Sequence, residues 1–209
     1  VGFPRSGTTL LDTIFRTNSD VEVIEEKPIL KNFLIKLEKE TKNDFNQLDN
    51  LSQRFIEEMK HFYFQERKQY QKDKKAKIVI DKLPLNIIHI AEILRFFPNA
   101  KFIFALRHPY DSVLSCFMQQ FELNPAMKNF LTLESSAHLY DLVMKLWEIY
   151  SEIFSINFHF IKYEDVVTNF EKTTQEIFKY LGLNWSDKTK DFYITAKDRI
   201  DISTPSYNQ

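Results

Sequence analysis

Apolar positions along this chain fall into two rhythms. Short runs at 21–24, 77–81, 102–106 and 157–161, rich in Val, Ile and Phe, read as strands, and that at 102–106 is a continuous apolar run, as in a parallel strand buried on both faces. Longer stretches at 8–16, 28–40, 47–72, 84–97, 109–121, 133–154 and 170–181 place apolar residues at helical spacing. Punctuation agrees with these bounds. Pro28 and Pro109 suit the first turn of a helix, Pro98-Asn99 stops one, and Gly182 suits a C-terminal cap. Residues 1–3 read as the stub of a further strand. In 47–72, Phe55, Met59, Phe62 and Phe64 form an aromatic stripe expected to be core. Strands alternating with helices imply crossover connections, hence an α/β fold with a central parallel β-sheet flanked by helices in three layers. No internal repeat or low-complexity segment interrupts the order.

The chain's 209 residues suit a single domain with a substantial core. A net charge of -1 lacks the basic excess of a nucleic-acid protein, and the lysine cluster at 72–77 reads as a solvated face. The lone cysteine, Cys116, has no internal disulfide partner and reads as a small buried filler. No apolar run reaches the roughly 20 residues of a membrane span, and no charged-then-apolar leader is seen, which reads as a cytoplasmic chain.

Candidate chemistry begins at Gly2-Phe3-Pro4-Arg5-Ser6-Gly7-Thr8-Thr9, which holds two of the three glycines. Its glycine spacing is that of a phosphate-binding loop, where backbone amides and a helix N-terminus face an anion. Thr8 stands where a nucleotide triphosphatase has its lysine. Such a loop cradles an anion but is poorly equipped to move a γ-phosphoryl group, and Arg5, Ser6, Gly7, Thr8 and Thr9 are its candidate donors. A second segment runs from strand 102–106 into Arg107-His108-Pro109, with Ser115 in the following helix. Arg107 leaves the carboxyl end of a parallel strand, where open α/β sheets bind ligands. A structural ion pair with Asp111 is the competing role for Arg107.

Together these two segments resemble the sulfotransferases that use 3'-phosphoadenosine 5'-phosphosulfate (PAPS). The resemblance leans toward the tyrosylprotein sulfotransferases and bacterial enzymes whose sulfotransferase domain follows tetratricopeptide repeats. It runs through Val23-Ile24-Glu25-Glu26-Lys27-Pro28, Asp81-Lys82-Leu83-Pro84, Ile161-Lys162-Tyr163-Glu164-Asp165 and Ser206-Tyr207-Asn208-Gln209. It implies a P-loop-like fold, with Arg5 and the loop on the 5'-phosphosulfate and Arg107 with Ser115 on the 3'-phosphate. Tyr163 is then expected on the adenine, Glu26 as catalytic base, and Lys82 and Ser206 as catalytic partners of Arg5. The chain begins inside the first motif and stops inside the last, so it is expected to be one sulfotransferase domain truncated at both ends, with tetratricopeptide repeats a candidate partner region in the whole protein.

Sulfuryl transfer needs an in-line nucleophile, a base, and donors where charge develops. Glu25 rivals Glu26 as the base, because adjacent strand residues point to opposite faces. Lys82, at a strand's carboxyl end, is placed to stabilise a departing phosphate, and Thr204 to fix the loop of Ser206. His108 reads as a turn residue. The five histidines show no metal-ligand spacing and the reaction needs no metal. The expected acceptor is a hydroxyl on a peptide tyrosine, a saccharide or a small molecule, bound between helices 28–40 and 109–130. Two other classes stay open: a phosphotransferase, which lacks its lysine here, and a binding module for PAPS or the diphosphate product (PAP) that does not turn over.

Overall fold

A computed structural model describes residues 1–42 and 44–197, and the elements alternate as the apolar rhythm requires. In chain order they are α1 (Thr8–Phe15), β1 (Val21–Glu25), α2 (Ile29–Thr41), α3 (Gln53–Tyr70), β2 (Ile78–Lys82), α4 (Ile90–Phe96), β3 (Phe102–Leu106), α5 (Pro109–Met118), α6 (Leu133–Ile153), β4 (Phe158–Lys162), α7 (Tyr163–Thr168), α8 (Phe170–Leu181) and α9 (Phe192–Lys197). Single 3-10 turns lie at Phe45–Asn50, Pro84–His89, Met127–Leu131 and Asp187–Asp191.

β1 pairs with β2 and β3 with β4, both parallel. The start of the chain joins the two pairs. Gly2 bridges to Ala105 of β3 while its N–H donates to the carbonyl of Pro84, just past β2. The Ala105 N–H donates in turn to the Val1 carbonyl. All four strands therefore end at one edge, which receives both candidate anion-binding segments and the residues after β1 and β2.

Alternation along β3 explains the layers. Phe102 and Phe104 point into a core with Ile90 of α4, Cys116 of α5 and Val143 and Trp147 of α6. Ala105 faces the opposite core, built from Leu11, Ile14 and Phe15 of α1 and Ile177, Phe178 and Leu181 of α8. Burial on both faces is why β3 reads as a continuous apolar run. A third cluster unites α2, α3 and α4 around Phe33, Met59 and Phe96.

Several boundaries differ from the sequence expectation, each for a local reason. The stretch 47–72 is not one helix: the Phe45–Asn50 turn ends before Ser52, whose hydroxyl caps α3 by accepting the N–H of Phe55. Met59 of the aromatic stripe is fully buried, but Phe64 is 38% exposed and carries the Arg67 guanidinium 4.9 Å above its ring. Pro28 is the N-cap of α2 instead of its first residue. The stretch 84–97 starts as a 3-10 turn, where Pro84 supplies no N–H. The helix expected to run to 121 stops at Met118, and α7 was hidden by its brevity. Cys116 is the expected filler, fully buried, its Sγ 3.4 Å from the Pro4 carbonyl and its thiol pushed up to about 12 by burial.

Candidate active site

The loop before α1 turns twice through left-handed backbone, at Arg5 (φ 67°) and Gly7 (φ 94°). Gly7 tolerates that conformation without a Cβ, and it also lets the loop close on Tyr163, whose Cδ2 would lie 2.8 Å from an added methyl. The loop amides thus precede the N-terminus of α1, with Thr8 buried at its first position. Ser6 is buried too. Its hydroxyl has no hydrogen-bond partner among the described residues.

Distant segments converge on this loop. Arg5 Nε donates to Ser115 Oγ at 2.9 Å, across 110 positions of sequence. Arg107 Nη1 lies 3.4 Å from the Arg5 carbonyl, and its guanidinium stacks 4.8 Å from the centre of the Tyr163 ring. The competing ion pair with Asp111 is present only as a 4.0 Å contact, and the buried Arg107 Nε has no hydrogen-bond partner among the described residues. Burial lowers the proton affinity of Arg5, and the nearby Arg107 charge lowers it further. Two guanidinium groups held this close, one with an unused donor, make a setting that anions relieve.

Glu164, next to Tyr163, was not singled out from the sequence. Its Oε1 accepts the His108 N–H at 2.9 Å, joining β4's exit to β3's. Burial acts upward on its carboxyl but is outweighed by the His108 and Glu164 N–H groups and by Arg107, so its pKa is lowered. The sequence signal for this brace was the pair of acidic residues, Glu164 and Asp165, in a helix's first turn. His108 is the turn residue expected, at the N-cap of α5.

A second cluster lies where β1 and β2 end. Glu25 and Lys82 are register partners, and Lys82 Nζ meets Glu25 Oε1 at 2.9 Å. Glu26 reaches the same ammonium at 3.0 Å. Strict alternation would have sent Glu26 to the other face, but its φ of 49° breaks the extended backbone and returns its carboxylate to Lys82. The two glutamates differ in access: the side chain of Glu25 is 7% exposed, as is that of Lys82, whereas that of Glu26 is 29% exposed. Lys82 is therefore a buried, doubly paired lysine.

Of the sequence-predicted residues, Arg5, Gly7, Arg107, Ser115 and Tyr163 meet in the first cluster, and Glu25, Glu26 and Lys82 in the second. Thr8 and Thr9 begin α1 beside the first. Ser206 and Thr204 lie outside the described residues. The donor set fits a ligand with two anionic ends: a cationic cradle with loop amides, plus an unsatisfied arginine N–H. Among the described residues no His, Cys, Asp or Glu cluster is arranged to hold a metal ion, and no helix is long and apolar enough to cross a membrane.

Comparison with known proteins gives the family by one route and supports the fold by another. A profile described as "Sulfotransferase family" matches residues 1–187. An uncharacterized protein of Aquifex aeolicus (strain VF5) is 26% identical over 221 residues, covering 100% of this chain and 28% of that protein. The chain thus spans little more than a quarter of this relative's length. Among solved structures, the sulfotransferase domain from the curacin biosynthetic pathway superposes with a TM-score of 0.59 at 19% identity, covering 92% of this chain and 75% of that one. The sulfotransferase domain of the Synechococcus PCC 7002 olefin synthase matches with the same score and identity, over 92% and 74%. Sulfotransferase STF9 from Mycobacterium avium scores 0.56 at 14% identity, over 96% and 68%. At these identities the solved structures speak for the fold.

Proposed function

The chain belongs to the sulfotransferase family, and from that premise we propose that it moves a sulfuryl group from PAPS to an acceptor hydroxyl, a peptide tyrosine being the acceptor class favoured by the sequence resemblance. The observation that carries the donor assignment is the convergence of Arg5, Ser115 and Arg107 from segments over a hundred residues apart. Nothing in folding alone calls for two adjacent arginines, whereas a nucleotide with phosphate at its 3' and 5' positions does.

In this reading the loop amides, Arg5, Ser6, Thr8 and Thr9 hold the 5'-phosphosulfate. Arg107 and Ser115 hold the 3'-phosphate, and Tyr163 flanks the adenine. The donor supplies a sulfuryl group on a good leaving phosphate. Lys82 offers an N–H to that phosphate as charge builds on it. Glu26, the more accessible carboxylate of its pair, takes the acceptor proton. A tyrosine hydroxyl has an ordinary pKa of about 10, so a positioned base contributes on the order of 100-fold or more. Ser206 is assigned to the sulfonate by resemblance.

Calorimetric titration with PAP tests the assignment. Micromolar binding, about -8 kcal/mol, is expected for the chain, and its loss is expected for an Arg107→Ala, Ser115→Ala double variant. A folded chain that ignores PAP, in a form extended beyond Gln209 as well, would sink the reading.

A further inference from the structure

Glu26 serves as a base only if it can accept a proton without stranding the ammonium beside it, and this condition gives its neighbour a task. The geometry points to Glu25 as a positioning residue, the resident counter-charge that fixes Lys82 and leaves Glu26 able to exchange its contact for the acceptor's proton. The inference rests on the sulfuryl-transfer reading above.

Three observations carry it. Glu25 and Lys82 are cross-strand register partners at the ends of two paired strands, so their contact is set by rigid backbone. The side chains of both are 7% exposed, which makes the pair a buried one. Glu26 reaches Lys82 only through a left-handed turn, and its side chain is 29% exposed. One carboxylate is thus anchored and the other is accessible.

Charge accounting then separates the roles. With both glutamates ionised the cluster carries one net negative charge. When Glu26 takes the acceptor proton, the acceptor O–H bond breaks and its electron pair forms the new bond to sulfur. The sulfur bond to the 5'-phosphate oxygen breaks, and that pair leaves on the phosphate. What remains on the protein is a neutral acid beside a balanced Glu25–Lys82 pair. Without the Glu25 charge, the same transfer would leave a buried ammonium unpaired, a state the interior resists. Two of the three ammonium donors are already directed at Glu25 and Glu26, which aims the third.

The first test needs neither donor nor acceptor. Acetylation of Lys82 by acetic anhydride, followed by mass spectrometry, is compared in the parent, Glu25→Gln and Glu26→Gln. Glu26→Gln is expected to stay within about twofold of the parent, because the buried anchor remains, and Glu25→Gln to rise at least fivefold. The reverse order would make Glu26 the anchor and overturn the inference. The second test follows PAP release from PAPS with phenol or water as acceptor. Glu25→Gln is expected to lose at least 30-fold in kcat, with PAP affinity by calorimetry equal or a few-fold tighter, since one negative charge is gone. Glu25→Asp, which keeps the charge, is expected to recover most of kcat. A kcat within threefold of the parent for Glu25→Gln, or equal losses of kcat and PAP affinity in both variants, would overturn it. Failure of the parent to bind PAP would count against the transfer reading and leave the acetylation result standing.

Discussion

An alanine methyl at Gly7 would stand 2.8 Å from the Tyr163 ring while holding a residue with a side chain at φ 94°. The two costs are separable. Gly7→Ala is expected to destabilise by about 1–3 kcal/mol and to abolish PAP binding; adding Tyr163→Ala should relieve the steric part and leave the backbone part, as read by chemical denaturation. Asp81 supplies a different residue-scale test. Burial raises its pKa from 3.8 to about 6, against the lowering effect of the Tyr63 hydroxyl that donates to its Oδ2 at 2.9 Å. A carboxyl whose folded pKa lies above its unfolded one stabilises below pH 3.8 and loses that contribution as pH rises through about 6. Asp81→Asn is therefore expected to be more stable than the parent at pH 7, by about 3 kcal/mol at most, with the advantage gone at pH 4. Denaturation at the two pH values checks the sign.

At the scale of elements, α1 is pinned to β1 by a contact with an i,i+4 origin. Arg16 Nε meets the buried Asp12 carboxylate at 2.5 Å and its Nη2 donates to the Val23 carbonyl at 2.7 Å. Asp12→Ala is expected to cost about 2 kcal/mol, below the figure for a fully buried pair, because the Arg16 side chain is 28% exposed. Thermal or urea unfolding would show it. Strand and helix order was legible in the sequence because short Val-, Ile- and Phe-rich runs alternate with longer stretches at helical spacing, and the end of α8 because Gly182 takes the left-handed cap. The break before α3 was less legible, since a serine cap inside a helical pattern competes with good helix formers. In the candidate site, Arg5 and Arg107 could be read from loop and strand-end chemistry. Their joining through Ser115 is a tertiary fact, as is the turn at Glu26 that puts both glutamates on Lys82. Alternation predicts opposite faces there, and a positive φ at a glutamate has no sequence signal.

For the molecule as a whole, both clusters hang on the carboxyl edge of parallel strands that two cores grip from opposite faces. A ligand that engages loops after β3 and before α1 ties these layers together. PAP at a hundred times its dissociation constant is expected to add about 2.7 kcal/mol, a rise of roughly 5–10 °C in Tm for a chain of this size. Arg107→Ala should remove the rise while leaving the ligand-free Tm near the parent's. Differential scanning fluorimetry is sufficient to see both.

Only three positions with side chains take left-handed backbone among the described residues, Arg5, Glu26 and Lys42, and two of these are candidate site residues. In a chain that keeps just three glycines, that is a choice of function over relaxation. Glu26→Gly would ease the backbone by about 1 kcal/mol and still leave Lys82 with Glu25. It is expected to melt no lower than the parent and to be inactive. A library sorted only for heat resistance would therefore enrich dead chains at position 26, and any consensus or thermostabilising campaign on this protein has to score turnover alongside melting.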